Sequence, residues 1–188
     1  MNFLAHLWLA EQTRTSFAGA ILGDIARGAD LSAYPDDIER GIRLHRKVDA
    51  ATDRHPLSVA ARERFGPGRR RFAGIVMDLV CDYILANDWD HYSDEALPDF
   101  CARASVEIEQ AGEWFQLAGG RVVEARGFAH LLVSYAGAPG IEHAVRRVAG
   151  RMRDPQLLLD AAKDWNAVAE TFRPSLPVLL ADLKRLGA

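Results

Sequence analysis

The stretch Ile38-Glu39-Arg40-Gly41-Ile42-Arg43-Leu44-His45-Arg46-Lys47-Val48-Asp49-Ala50-Ala51-Thr52-Asp53 sets the character of the whole chain. At about 100° per residue, Ile38, Ile42, His45 and Asp49 fall along one stripe with Asp53 at its edge, while Arg40, Arg43, Lys47 and Arg54 fall on the opposite face. The spacing predicts an amphipathic helix, and its inward face carries an imidazole and a carboxylate. A plain His–Asp pair at i, i+4 explains those two residues as well as a functional site does.

Working outward, apolar residues recur at intervals of three and four in nearly every segment, and no alternating run closed by Asn-Gly or Asp-Gly appears. An all-α, single-domain helical bundle over residues 1–188 is therefore expected. Pro35, Pro56, Pro67, Pro98, Pro139, Pro155, Pro174 and Pro177 punctuate the helices, which are expected at 2–4 through 7–12, 17–28, 35–53, 56–64, 70–89, 95–115, 121–136, 139–151, 154–172 and 175–186. Gly119-Gly120 is read as a helix connection. A chain of 188 residues, 49% hydrophobic, with a formal net charge of −3, is too apolar and too weakly charged for disorder. No apolar run is long enough to span a bilayer, and the N-terminus lacks the basic region and cleavage pattern of a secretory signal. Cys81 and Cys101 form no CxxC pair and read as core thiols, which makes the cytoplasm the default compartment.

From Gly74 to Ala86 the sequence Gly-Ile-Val-Met-Asp-Leu-Val-Cys-Asp-Tyr-Ile-Leu-Ala is apolar on almost every side, and its charged residues are Asp78 and Asp82, one turn apart. Two like charges in a buried helix cost several kcal/mol each unless compensated, and a bound metal explains them better than arginines from other helices. His6 in Phe-Leu-Ala-His-Leu-Trp and Asp24 in Ile-Leu-Gly-Asp-Ile repeat the pattern. A lone buried histidine is ordinarily a hydrogen-bonded core residue, but four helices each place a His or Asp on an apolar face, and bundles build metal sites from such facing side chains. Mixed imidazole and carboxylate ligands suit Mn²⁺, Fe²⁺ or Mg²⁺ rather than structural zinc. One or two divalent ions of this kind acidify water and neutralise phosphoryl charge, which points to phosphoester hydrolysis.

Residues 40–71 hold ten basic and three acidic side chains, a local balance of +7 against −10 for the remainder. Arg62-Glu63-Arg64-Phe65-Gly66-Pro67-Gly68-Arg69-Arg70-Arg71 is the densest cluster: a solvated turn, or a docking strip for an anionic partner. A pI near 6.1 and the absence of interleaved aromatics argue against nucleic acid and favour an acidic protein.

Several ordered motifs carry a family resemblance. Met1-Asn2-Phe3-Leu4-Ala5-His6-Leu7, Gly23-Asp24 with Arg27-Gly28, Gly41 to Asp49 with Thr52-Asp53-Arg54-His55-Pro56, and Asp78 to Asp82 leading to Leu85-Ala86-Asn87-Asp88-Trp89 resemble the acyl carrier protein phosphodiesterases, as do Tyr92-Ser93, Leu132-Val133-Ser134-Tyr135 and Gly140-Ile141. The resemblance implies an all-helical fold related to HD-type phosphohydrolases with a rearranged motif order, and a metal-dependent hydrolase with manganese as the usual ion. The implied reaction cleaves the phosphodiester between 4′-phosphopantetheine and a serine of holo acyl carrier protein, a small, strongly acidic partner. Matched residue by residue, it makes His6, Asp24, His45, Asp49, Asp78 and Asp82 the catalytic set, all except Asp49 being expected as metal ligands. Asp53 and His55 are second-rank candidates, supporting the ligands or capping the helix before Pro56. Arg43, Arg46, Lys47, Arg54, Arg69, Arg70 and Arg71 become the expected carrier contacts.

Two positions depart from the family pattern. Asp82-Tyr83 replaces an Asp-His pair, and Trp8 stands where some members have a second histidine. Tyr83 projects about 100° from Asp82 and, with an unperturbed pKa near 10, is a poor substitute for imidazole. The competing expectations are an HD-like phosphohydrolase for a nucleotide or small phosphoester, and a carrier-binding module with an impaired centre. His91, His130 and His143 read as lying outside the site. The C-terminal helices with Leu157-Leu158-Leu159, Trp165, Phe172, Leu179 and Leu183 read as packing, a lid or a dimer face, in a monomer or weak homodimer.

Overall fold

A computed structural model describes residues 1–187. Among these residues the chain is all helical, without strands: α1 Phe3–Thr13, α2 Phe17–Leu22, α3 Asp36–Arg54, α4 Pro56–Glu63, α5 Ala73–Asn87, α6 Leu97–Gln110, α7 Gly112–Leu117, α8 Ala125–Ser134, α9 Ala138–Ala149, α10 Pro155–Ala161, α11 Trp165–Phe172 and α12 Leu176–Lys184. Prolines occupy the first turns of α4, α6, α9, α10 and α12, where no intrahelical N–H bond is lost. Pro35 precedes α3, whose first turn carries Asp36, Asp37 and Glu39 at the positive end of the helix dipole.

α1 and α5 are the central helices. Leu4 through Ala10 are all buried in α1, and Val76, Met77, Leu79 to Asp82 and Ile84 to Ala86 are buried in α5. Their burial on all sides matches their nearly uninterrupted apolar sequence. One continuous core joins them to Ile42 of α3, Phe100 and Ile108 of α6, and Leu176 and Leu179 of α12. The C-terminal helices are packing elements, with Trp165, Phe172, Leu179 and Leu183 inside. Cys81 and Cys101 are buried free thiols.

The crossing of α2 and α3 sets the site. A Cβ on Gly19 would lie 2.8 Å from the Gly41 Cα and 2.5 Å from the Ile38 carbonyl oxygen, so the two backbones touch where both residues lack side chains. That contact carries the end of α2 onto the His45 face of α3.

Three expected helices are interrupted. The helix expected over 17–28 stops at Leu22, where Gly23 begins a turn that lets the His45 ring approach the backbone. The span 95–115 breaks at Ala111, between α6 and α7, with Gly112 against Val122. The span 154–172 breaks at residues 162–164, between α10 and α11. In each case a tertiary contact or local turn overrode a continuous three-to-four periodicity. Gly119, at φ +76, lies in the connection between α7 and α8.

Candidate metal centre

Four separate elements converge at one end of the α1–α5 pair. His6 is buried on α1 and His45 on α3, and their rings stack with centroids 3.9 Å apart and planes 18° from parallel. Asp49, one turn beyond His45, spans both: its Oδ1 is 3.0 Å from His6 Nε2, and its Oδ2 is 3.1 Å from His45 Nε2. Asp24, just past α2, places Oδ1 3.2 Å from the same His45 nitrogen. One ligand atom from each of His6, His45 and Asp49 falls within 4.8 Å of the others, close enough for one ion.

The protonation of His45 follows from its other nitrogen. Nδ1 donates to the Ala20 carbonyl at 2.7 Å, so a neutral ring would present the Nε2 lone pair to two carboxylates. Repulsion of that kind requires a cation at Nε2, either a proton or a metal. Without a metal it is a proton: burial works against the charged ring, but the hydrogen bonds to Asp24 and Asp49 raise its pKa to about 9. His6 moves the opposite way. Burial lowers it to about 4, with the charged His45 ring adding to the shift, so His6 is neutral and its Nε2–H donates to Asp49. Burial alone would raise the Asp49 pKa, but the two imidazoles and the Met1 ammonium hold it far below the usual range. The hydrogen bond from His45 lowers that of Asp24.

Asp24, Asp49, Asp53 and Asp78 line one cavity of about 310 Å³, with Met1, Asn2, Phe3, Gly74, Ile75, Leu79 and Val148 completing its wall. The Met1 ammonium sits 3.0 Å from Asp49 Oδ1 and 3.2 Å from Asp78 Oδ1. Burial disfavours that charge, yet Asp78 and Asp49 raise its pKa to about 11, so the carboxylate pair already accommodates a positive group. Burial raises the pKa of Asp78 against the pull of that ammonium. The residues present fit a divalent ion: imidazole nitrogens and carboxylate oxygens, a histidine oriented by a backbone carbonyl, and a stand-in cation between two of the acids.

The expected site residues separate into two groups. Asp24, Asp49 and Asp78 line the cavity, and His6 and His45 meet it through Asp49, which joins the two imidazoles although the expected ligand set omits it. Its i, i+4 spacing from His45 was the available signal. Asp82 is completely buried and lies outside the cavity lining; its two oxygens accept the N–H groups of Leu4 at 2.9 Å and Ala5 at 3.0 Å. It therefore caps the start of α1, a role given by tertiary contact and not by sequence neighbours. Burial outweighs those donors and pushes its pKa up to about 7.

Asp53 lines the cavity and also pairs with Arg62 at 2.7 Å. His55 caps α4, accepting the Leu57 N–H at its Nδ1, and its Nε2 lies 3.2 Å from Asp182. Tyr83 packs edge-on against Trp165 of α11, with centroids 4.8 Å apart, and is not among the residues that line the cavity. Trp8 donates its indole N–H to the Tyr92 carbonyl. His91, His130 and His143 are exposed.

Several of the expected carrier-contacting arginines already have intramolecular partners. Arg46 donates to the Ala26 and Gly28 carbonyls at 2.7 Å each and so ties the loop after α2 to α3. Arg43 pairs with Glu39, Arg70 with Glu63 and Arg69 with Asp164. Lys47 and Arg54 are exposed. Two structural requirements have no signature in periodicity: the missing Cβ at Gly23, which would lie 2.2 Å from His45 Cγ, and the Ala20 carbonyl that orients the ring.

Fold and site together define an all-helical protein with a histidine–carboxylate cluster between its helices. A model of the acyl carrier protein phosphodiesterase family matches residues 1–183. The chain belongs to that family. It is 42% identical over 110 residues to the acyl carrier protein phosphodiesterase of Photorhabdus laumondii, an alignment covering 58% of this chain and 56% of that protein. The corresponding proteins of Enterobacter sp. strain 638 and Yersinia pestis are 41% and 42% identical over 109 residues, covering 57% of this chain and 56% of each. The matched region thus spans about half the length of these relatives. No solved structure is similar enough to match. Among the described residues no helix is long and apolar enough to cross a membrane.

Proposed function

We propose that this protein is a divalent-metal-dependent phosphodiesterase that hydrolyses holo acyl carrier protein to apo carrier and 4′-phosphopantetheine in the cytoplasm. The observation that carries the reading is the paired orientation of the imidazoles. His45 is fixed at Nδ1 by a backbone carbonyl and aims Nε2 at Asp24 and Asp49, while His6 meets the same Asp49 from the opposite helix. Family membership and the names of the relatives supply the reaction class and the carrier substrate.

His6, His45 and Asp49 would hold the ion, with Asp24 and Asp78 as further carboxylates of the same cavity; manganese fits this nitrogen–oxygen set. When bound, the ion supplies charge neutralisation at the phosphoryl group and acidifies water. The Ala20 carbonyl keeps His45 in one tautomer, and Asp49 fixes the spacing of the two rings. Phe3, Ile75, Leu79 and Val148 form the apolar part of the cavity wall. In the net reaction the water oxygen bonds to phosphorus, the bond to the serine oxygen breaks, and the serine oxygen takes up a proton.

The test is Asp49→Asn, with Mn²⁺ content, Mn²⁺ affinity and conversion of holo carrier measured together. Loss of both metal and apo-carrier formation is expected, since mutations of metal-supporting groups cost about 10–100-fold or more. Full metal affinity and full turnover in that variant would overturn the assignment. Hydrolysis of a nucleotide or generic phosphodiester by the native protein, with no apo carrier formed, would remove the carrier substrate while leaving the centre in place.

A further inference from the structure

Beside the cation cavity lies a second, larger hollow of about 670 Å³, lined by Arg71, Phe72, Met152, Arg153, Asp154 and Leu157. It is built from the same two chain segments as the cavity. Gly74 and Ile75 line the cavity, and Arg71 and Phe72 precede them in the turn that leads into α5. Val148 lines the cavity near the end of α9, and Met152 and Arg153 follow one turn later. The hollow and the cavity share no lining residue, but both draw on segments 71–75 and 148–153, which are far apart in sequence and bring the two within a helical turn of each other along each segment.

Arg71 shares with Arg40, Lys47, Arg54 and Arg64 the lack of a carboxylate partner among the described residues, and unlike them it lines a hollow together with a second unpaired arginine. Arg43, Arg46, Arg62, Arg69 and Arg70 are engaged by carboxylates or carbonyls of the chain. Among the described residues Arg71 and Arg153 have no carboxylate partner within salt-bridge distance, although Asp154 shares the hollow. The Arg71 guanidinium lies 4.6 Å over the Phe72 ring, which restrains it and leaves its N–H edges available. An arginine pair around an aromatic and methionine floor has the composition of a protein interface core, where arginine is enriched and acts as an anchor.

We propose that this groove is the docking surface for the protein partner, with Arg71 and Arg153 engaging acidic side chains that flank the modified serine. The inference rests on the carrier reading of the cation site. A pantetheine arm has no charge beyond its phosphate, so two unpaired guanidiniums next to the phosphate cavity match an acidic protein surface better than they match the arm. Bidentate geometry makes arginine suited to carboxylates in this setting. Arg153, which lies outside the basic stretch of the sequence, becomes part of the site only through the packing of α9 and α10 against the turn before α5.

The experiment compares native protein, Arg71→Ala/Arg153→Ala and the exposed control Arg121→Ala, each with Mn²⁺. Binding of fluorescent holo carrier protein is measured by anisotropy at two salt concentrations, and KM is measured in parallel. The double variant is expected to raise Kd and KM by about tenfold or more and to flatten their salt dependence, while Arg121→Ala stays within about twofold. A neutral phosphopantetheinylated serine peptide should show little difference between native and double-variant protein. Unchanged Kd and KM for the carrier, with native turnover intact, would overturn the groove assignment alone. An equal loss on the neutral peptide would place the arm in the groove and overturn it as well. If the native protein neither binds nor cleaves holo carrier, the carrier reading fails, and this inference with it.

Discussion

Replacing Gly23 by alanine tests how the site is assembled. The added Cβ would lie 2.2 Å from His45 Cγ, 2.3 Å from Cδ2 and 2.5 Å from Cβ. These contacts fall on Cβ and the near edge of the ring, which has no freedom to swing away while Nδ1 holds the Ala20 carbonyl at 2.7 Å and Nε2 meets Asp49. Either the ring or the backbone after α2 must retreat by about 1 Å to restore ordinary contact. Overpacking of this kind costs about 1–3 kcal/mol of stability. A displacement of about 1 Å at a catalytic group costs on the order of 100-fold in rate. Gly23→Ala should therefore fold with a lowered Tm, bind Mn²⁺ at least about tenfold more weakly by isothermal titration, and convert holo carrier about 100-fold more slowly. Gly66→Ala, where the added Cβ has open space around it, is the control. Native metal affinity and turnover in Gly23→Ala would refute the claim that the close approach of α2 positions His45.

Further expected outcomes concern His45, Asp82 and His55. The His45 pKa of about 9 in the folded chain exceeds its ordinary 6.5, so its stabilisation is fully present below pH 6.5 and is lost as pH rises towards 9; the Tm of metal-free protein should show this loss, and Mn²⁺, by replacing the proton, should suppress it. Mn²⁺ affinity should rise over the same window, with proton release measurable by titration in buffers of different ionisation enthalpy. Asp82→Asn removes an acceptor from the buried N–H pair of Leu4 and Ala5 and should lower urea stability by about 1–3 kcal/mol. An Asp82→Asn protein of native stability that has lost its metal would reverse the capping assignment. His55→Ala should lose about 1 kcal/mol in urea through the α4 cap while retaining kcat, whereas a large kcat loss at native stability would make His55 part of the chemistry.

The helical class and the gathering of His6, His45 and Asp49 were legible because both depend on periodicity. His45 and Asp49 stand one turn apart on the inward stripe of α3, and an aspartate in the apolar run of α5 signals a compensated charge. Periodicity failed where two elements meet. Asp78 and Asp82 have the same spacing and the same surroundings in sequence, yet Asp78 opens onto the cavity while Asp82 is completely buried beneath the first turn of α1. Which of them meets a cation depends on where the start of α1 lies, and the spacing within α5 carries no information about that. The arginines show the same limit: Arg46 and Arg71 belong to one basic stretch, but one is held by loop carbonyls and the other borders the groove.

By itself the sequence determined an all-helical chain, imidazoles and carboxylates on its inward faces and an uneven distribution of basic charge, since each follows from local spacing and composition. Only the tertiary structure decided that Asp49 joins the two imidazoles, that Gly19 and Gly41 let α2 bring Asp24 to His45, that Asp82 caps a helix, and that Arg153 stands beside Arg71. Those outcomes depend on contacts between segments tens of residues apart, whose directions are set by close backbone packing and by the need to satisfy buried polar groups.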